Sequence, residues 1–129
     1  MDIYKLISNY RSNLEKTDSG YTCSYVFSES FPGFDGHFPG NPILPGVIQT
    51  LLGQQASLEA LAYEYPEEKF TLQLVTRCKF LRPVKPREKL YLNFILTAKD
   101  LGHIALCSLS VDGETVASFQ LLFSNEAVL

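Results

Sequence analysis

His37 stands in a segment stiffened by proline and glycine: Phe34-Asp35-Gly36-His37-Phe38-Pro39-Gly40-Asn41-Pro42-Ile43-Leu44-Pro45-Gly46-Val47. Imidazole is the side chain most readily poised as acid or base near neutral pH. Gly46 and Val47 open a long apolar run. A helix starting there presents unpaired backbone N–H groups and the positive end of its dipole. Such groups suit a developing oxyanion, and Gly46, lacking a Cβ, lets a ligand come close to the backbone. An acid–base group a few residues from an oxyanion donor fits proton abstraction next to a carbonyl. A lone loop histidine more often caps a turn, so residue type and spacing leave both readings open.

The flanking elements follow from periodicity. Ile3, Leu6, Ile7 and Tyr10 predict a short amphipathic helix over residues 2–14. Thr17 to Gly20 is a turn cluster, and 21–29 reads as a strand. Residues 30–46 hold four prolines and four glycines, too many for regular structure throughout. A helix is predicted from Pro45 to about Tyr65, closed by Pro66. Its stripe is Leu44, Ile48, Leu51, Gln55, Leu58 and Ala62, widened by Val47, Leu52 and Leu61, with Gly53, Ala56 and Ala60 on other faces. Four extended runs follow, at 70–82, 89–99, 103–112 and 114–123, and Asp112-Gly113 is a hairpin signal. Short connections predict antiparallel neighbours. The order implies an α+β class: one domain over residues 1–129, an antiparallel sheet curled around a single long helix. The sheet's open edges could pair with a second copy.

Composition bounds the function. A chain of 129 residues, 46% hydrophobic and 19% charged, fits one compact core and not a disordered segment. No apolar run approaches the ~20 residues of a membrane span. The N-terminus does not read as a secretory signal. Cys23, Cys78 and Cys107 lie far apart without a CxxC pair, so neither a disulfide scaffold nor a metal site is expected. They read as small buried side chains in a reducing cytoplasm. The net charge of −3 argues against duplex nucleic acid as the main partner. Yet Arg77, Lys79, Arg82, Lys85, Arg87 and Lys89 crowd into one window opposed only by Glu88. That window is either a solvated strand edge or a docking patch for a small acidic partner.

The run GHFPGNPILPGV resembles the signature of the β-hydroxyacyl-acyl carrier protein dehydratases, hot-dog-fold enzymes of fatty acid synthesis. Lys79-Phe80-Leu81-Arg82-Pro83-Val84-Lys85-Pro86 is similar to the strand and turn after that family's central helix, and the Asp112-Gly113 hairpin is compatible. The family's usual Pro-His-Arg and Pro-Phe-Leu segment is not seen. Pro-Ile-Leu-Pro-Gly-Val-Ile-Gln leans toward its polyketide-like and aryl-polyene branches. The resemblance implies a hot-dog fold in which His37 removes the α-proton. It implies that the Gly46 N–H, with Val47 beside it, receives the thioester oxygen. Gln55 matches a supporting glutamine, and Gln49 could join it in orienting water or hydroxyl. The substrate would be an acyl thioester on the phosphopantetheine of an acyl carrier protein, with no metal or redox cofactor. Arg77, Lys79, Arg82, Lys85 and Lys89 are the docking candidates for that carrier. The site would lie between two subunits of a homodimer or higher oligomer.

One position departs from the family. The acid expected six residues after Pro45 is Leu51. Glu59 would stand about 12 Å further along the helix. Two alternatives follow. The chain could be a weakened carrier-binding subunit that needs a homologous partner to supply the acid. It could also be a hot-dog thioesterase, against which the missing carboxylate argues.

Overall fold

The computed structural model describes residues 2–34, 40–100 and 102–126. Helix α1 spans Ile3–Ser8, and the Asp2 carboxylate caps it by accepting from the Tyr4 and Lys5 N–H groups. It stops well short of residue 14 because the following backbone turns onto a strand. The Val26 N–H donates to Tyr10 O at 3.1 Å and the Ser12 N–H to Ser24 O at 2.8 Å. The strands are β1 (Glu15–Lys16), β2 (Tyr21–Val26), β3 (Phe70–Phe80), β4 (Lys89–Lys99), β5 (Gly102–Val111) and β6 (Glu114–Asn125). The long helix α2 is Gly46–Glu64, with Pro45 as its N-cap.

All six strands form one antiparallel sheet in the order β1-β2-β4-β5-β6-β3, with α2 against its concave face. This is a hot-dog arrangement of α+β class. The β4-β5 and β5-β6 hairpins follow the predicted turns, and Asp112 and Gly113 both take positive φ, 50° and 79°. The connection from β3 to β4 does not join neighbours, contrary to the expectation from its shortness. β3 pairs with β6, and β4 pairs with β2 and β5. Val84 in that connection is buried and accepts the Leu44 N–H at 2.8 Å. The proline-flanked segment thus runs past the start of α2 instead of making a hairpin.

The face of α2 that meets the sheet also differs from the predicted stripe. Gln49, Leu52, Gly53, Ala56, Ser57, Ala60 and Leu61 are the buried positions. Gly53 shows why. A Cβ there would lie 2.5 Å from Phe119 Cε2 and 3.2 Å from Cys107 Sγ. The curled sheet approaches too closely for large side chains, so small residues face it. Of the leucines in the predicted stripe, Leu44, Leu52 and Leu61 are buried in the core, whereas Leu51 and Leu58 are only partly buried at its margin. A smaller expectation, that all three cysteines are buried, is corrected as well. Cys78 is exposed, unlike Cys23 and Cys107, because it lies on the edge strand β3. His103 is half-buried, with its ring against Tyr65 and Phe70 at 4.9 and 5.2 Å. No helix among the described residues is long and apolar enough to cross a membrane.

Candidate active site

His37 lies outside the described residues, as does the rest of 35–39. The chain on both sides of that segment is firmly held. Upstream, a 3₁₀ turn at Pro32–Phe34 follows an aromatic cluster in which Phe27 and Phe31 are 4.5 Å apart and Phe31 and Phe34 5.8 Å. Phe31 and Phe34 are both buried. Downstream, Leu44 is buried, bonded through its N–H to Val84 and through its carbonyl to Gln49 Nε2 at 3.1 Å. Burial at each end fixes where the segment leaves and rejoins the fold.

Gly46 begins α2, and its N-cap Pro45 has no side-chain cap hydrogen bond. Among the described residues no side chain caps the first-turn N–H groups. Gly46 is partly exposed, and Val47 beside it is 68% exposed. The Phe80 ring abuts Gly46: a Cβ built there would lie 2.9 Å from Cζ, 3.1 Å from Cε2 and 3.2 Å from Cε1. Sequence reading missed this contact. Its only sequence signal is Phe80 as the aromatic between Lys79 and Leu81, just ahead of Arg82-Pro83.

Gln49 and Leu51 lie about 160° apart around the helix, so they cannot share a site face. Gln49 points into the core, where its Nε2 secures Leu44 and its Oε1 has no partner among the described residues. Leu51 lies on the far side with Val47, Gln54 and Leu58, partly buried at the core margin. Gln55 turns toward α1. Its Nε2 donates to Tyr4 O and Ser8 Oγ, both at 2.8 Å, and its buried Oε1 is unpartnered among the described residues. Glu59 is committed to Arg11 at 2.7 Å. Burial opposes charge on Arg11, but its hydrogen bond and attraction to Glu59 prevail and raise the guanidinium pKa. Glu59 is thus occupied in holding the residue 10–16 segment to α2.

The basic window is not one surface. Arg82 is neutralised in place: Nε meets Glu114 at 3.0 Å, Nη2 meets Glu88 at 3.1 Å, and Nη1 also donates to Pro83 O at 2.7 Å. Partial burial works to raise the Glu88 carboxyl, but Arg82 and the Lys85 N–H outweigh it and hold the pKa below the ordinary value. The Lys85 side chain is exposed on the same turn. Lys89 opens β4 with its ammonium 5.3 Å from the Tyr91 ring, three strand spacings or about 14 Å from β3. Arg77 and Lys79 are exposed on β3 around a bulge, Arg77 at φ 53°. Arg77, with Lys99, Gln73, Ile104, Gln120 and Leu122, lines a concavity of about 590 Å³. Among the described residues no group of three His, Cys, Asp or Glu side chains could hold a metal ion.

Comparison with known proteins points in one direction. A family profile described as ApeI-like, ApeI dehydratase, matches residues 13–120. A 3-hydroxyacyl-[acyl-carrier-protein] dehydratase FabZ of Alkaliphilus metalliredigens is 46% identical over 75 residues, covering 55% of this chain and 50% of that protein. FabZ of Levilactobacillus brevis is 34% identical over 106 residues, covering 79% and 70%. The chain thus spans from about half to about two thirds of the length of curated relatives it matches. Among solved structures, the dehydratase heterocomplex ApeI:P from Xenorhabdus doucetiae superposes with a TM-score of 0.64 at 20% identity, covering 89% of this chain and 94% of that one. The thioesterase yhdA from Lactococcus lactis reaches 0.75 at 12% identity, covering 97% and 98%. At such identities these structures establish the hot-dog fold and nothing finer.

Proposed function

The chain belongs to the ApeI-like dehydratase family, and from that premise we propose that it removes water from a β-hydroxyacyl thioester carried on an acyl carrier protein. The observation that carries this is the GHFPGNPILPG sequence leading directly into the helix start at Gly46, where the N-cap Pro45 makes no side-chain cap hydrogen bond. The thioester oxygen would accept from the first-turn N–H groups of Gly46 and Val47 while His37 takes the α-proton. The α C–H bond breaks, its electron pair forms the double bond, and the β C–O bond breaks. The hydroxyl leaves as water once it has received a proton, which His37 can return. Elimination of water is redox-neutral, so the reaction needs no redox partner. The substrate arrives on the carrier's phosphopantetheine in the cytoplasm. Arg77, Lys79, Lys85 and Lys89 are the docking cations that make no ion pair with an acid among the described residues.

The test is to incubate the protein with β-hydroxyacyl carrier protein and follow enoyl formation. His37→Ala should lower the rate about 10²- to 10⁴-fold, the typical contribution of a general acid–base group. A wild-type rate no higher than that of the variant rejects the activity.

A second proposal rests on Leu51. It lies on the side of α2 away from the sheet, where an acid would have to stand, and the other carboxylate of the helix's middle turns, Glu59, is paired with Arg11. The related ApeI:P structure is described as a heterocomplex. A homologous subunit that brings its own carboxylate would complete the site. It would also cover the free edge of β3 and the apolar residues Leu74, Val75 and Leu81 exposed there. A mixture with such a homologue should then exceed the summed activities of the two alone, and Leu51→Glu should raise the activity of the isolated chain. A homodimer fully active alone and unchanged by any partner excludes the heterodimer.

A further inference from the structure

Phe80 ends β3 and registers opposite Ala117, whose side chain is buried, so its ring projects from the concave face of the sheet. There it meets the first residue of α2, and 47% of it stays exposed. Gly46 does not have the positive φ that would itself demand glycine. The absence of a Cβ is required instead by the ring, whose far end lies within 3.2 Å of where that Cβ would be. A half-exposed aromatic is thus pressed against the peptide with the first-turn N–H groups. A ring so placed can exclude water beside them, and an oxyanion–dipole interaction strengthens where water is excluded. Its remaining exposed surface forms an apolar wall beside the same donors.

We propose that Phe80 is a positioning residue for the thioester. Its ring and the Gly46 Cα form one side of a slot that holds the carbonyl oxygen against the first turn of α2. This rests on the dehydratase activity proposed above. A side chain acting in this way orients the reacting group common to every substrate, so its removal should lower kcat for carrier-bound and short thioesters alike. A misplaced reacting atom costs up to about 100-fold in rate.

The experiment uses Phe80→Ala, Phe80→Leu and Phe80→Tyr, each assayed with β-hydroxyacyl carrier protein and with the N-acetylcysteamine thioester of β-hydroxybutyrate. Phe80→Ala should lose about 10- to 100-fold in kcat on both substrates. Phe80→Tyr, which keeps the ring, should recover to within a few-fold of wild type, and Phe80→Leu should fall between. In Gly46→Ala, adding Phe80→Ala should restore the thermal midpoint by relieving the clash without restoring kcat. The proposal is overturned if kcat of Phe80→Ala stays within two-fold of wild type, or if its loss is confined to KM for the carrier-bound substrate. If the wild-type chain shows no dehydration above the protein-free background, it is the activity that fails. Binding of the butyryl N-acetylcysteamine thioester, which has no hydroxyl to lose, then decides the slot by calorimetry. At least ten-fold weaker binding to Phe80→Ala supports it, and equal binding overturns it.

Discussion

The two faces of α2 are built on opposite rules. The face against the sheet is made of Gln49, Gly53, Ala56, Ser57 and Ala60 with Leu52 and Leu61, all buried. The opposite face carries Val47, Leu51, Gln54 and Leu58, which this chain covers only in part. Large apolar side chains therefore lie on the side with less of the chain's own core, and small ones where the core is tightest. Close helix–sheet approach selects for small volume, whereas a face left for a substrate chain or another subunit selects for apolar area.

The sharpest way to break this comparison is the neighbouring pair Leu51 and Leu52. Leu52 is fully buried, so Leu52→Ala should cost about 2–5 kcal/mol in urea denaturation. Leu51→Ala should cost roughly half of that or less, because its side chain is already partly solvated. Equal losses would mean that the two faces are equally embedded within one subunit.

Gly53→Ala comes next. Helix propensity alone favours alanine by about 1 kcal/mol. The added methyl, however, would meet the buried Phe119 ring, and overpacking costs about 1–3 kcal/mol. A net loss of stability is expected, and a gain would show that the sheet can retreat from the helix.

Alkaline pH probes the same packed face through Cys107, whose sulfur neighbours Gly53. Burial pushes the Cys107 thiol from 9.0 up to about 12. Burial, followed by the hydrogen bond to Glu64, raises Tyr21 from 10.0 to about 12. Both folded-state values lie above the unfolded ones, so the folded state holds these protons longer. The stabilisation is fully present below about pH 9 and is lost as pH rises toward about 12. The unfolding midpoint should fall over that window, and less steeply in Cys107→Ala. A flat midpoint through pH 11 would contradict the burial.

The smallest effects separate the two halves of the basic window. Arg82→Ala should cost about 1 kcal/mol or less, since its pair with Glu114 is exposed and its pair with Glu88 is only partly buried. It should leave KM for the carrier substrate nearly unchanged. Arg77→Glu with Lys79→Glu should leave stability alone and raise that KM, without affecting a short thioester. The reverse pattern would place carrier docking on the Arg82 turn.

Much of the architecture was legible in the residues. Alternating strands, the Asp112-Gly113 turn and the run from Pro45 to Pro66 predict nearly every long element within a few residues. The adjacency of β4, β5 and β6 was legible too, but the place of β3 was not. The short Pro83–Pro86 link suggests neighbouring strands, but closure of the sheet around α2 separates β3 from β4 by two others. The candidate site was legible in part. Gly46 opens α2 as expected, while Gln49 and Gln55 turn to structural partners, because a match in sequence does not say which of several nearby carbonyls an amide will reach. Arg82 likewise is one cation among six in the basic window of the sequence, and only the turn that brings Glu88 and Glu114 to it removes it from the free charges.

By itself the sequence determined the family, the element types and the loop chemistry, because these follow from local residue preferences and short contiguous motifs. The tertiary structure alone decided which face of α2 is packed and which is open. It decided which charges cancel, and that Phe80 comes to rest on Gly46 from 34 residues further along the chain. Those outcomes depend on how closely the sheet can approach the helix, a distance set jointly by side chains far apart in the chain.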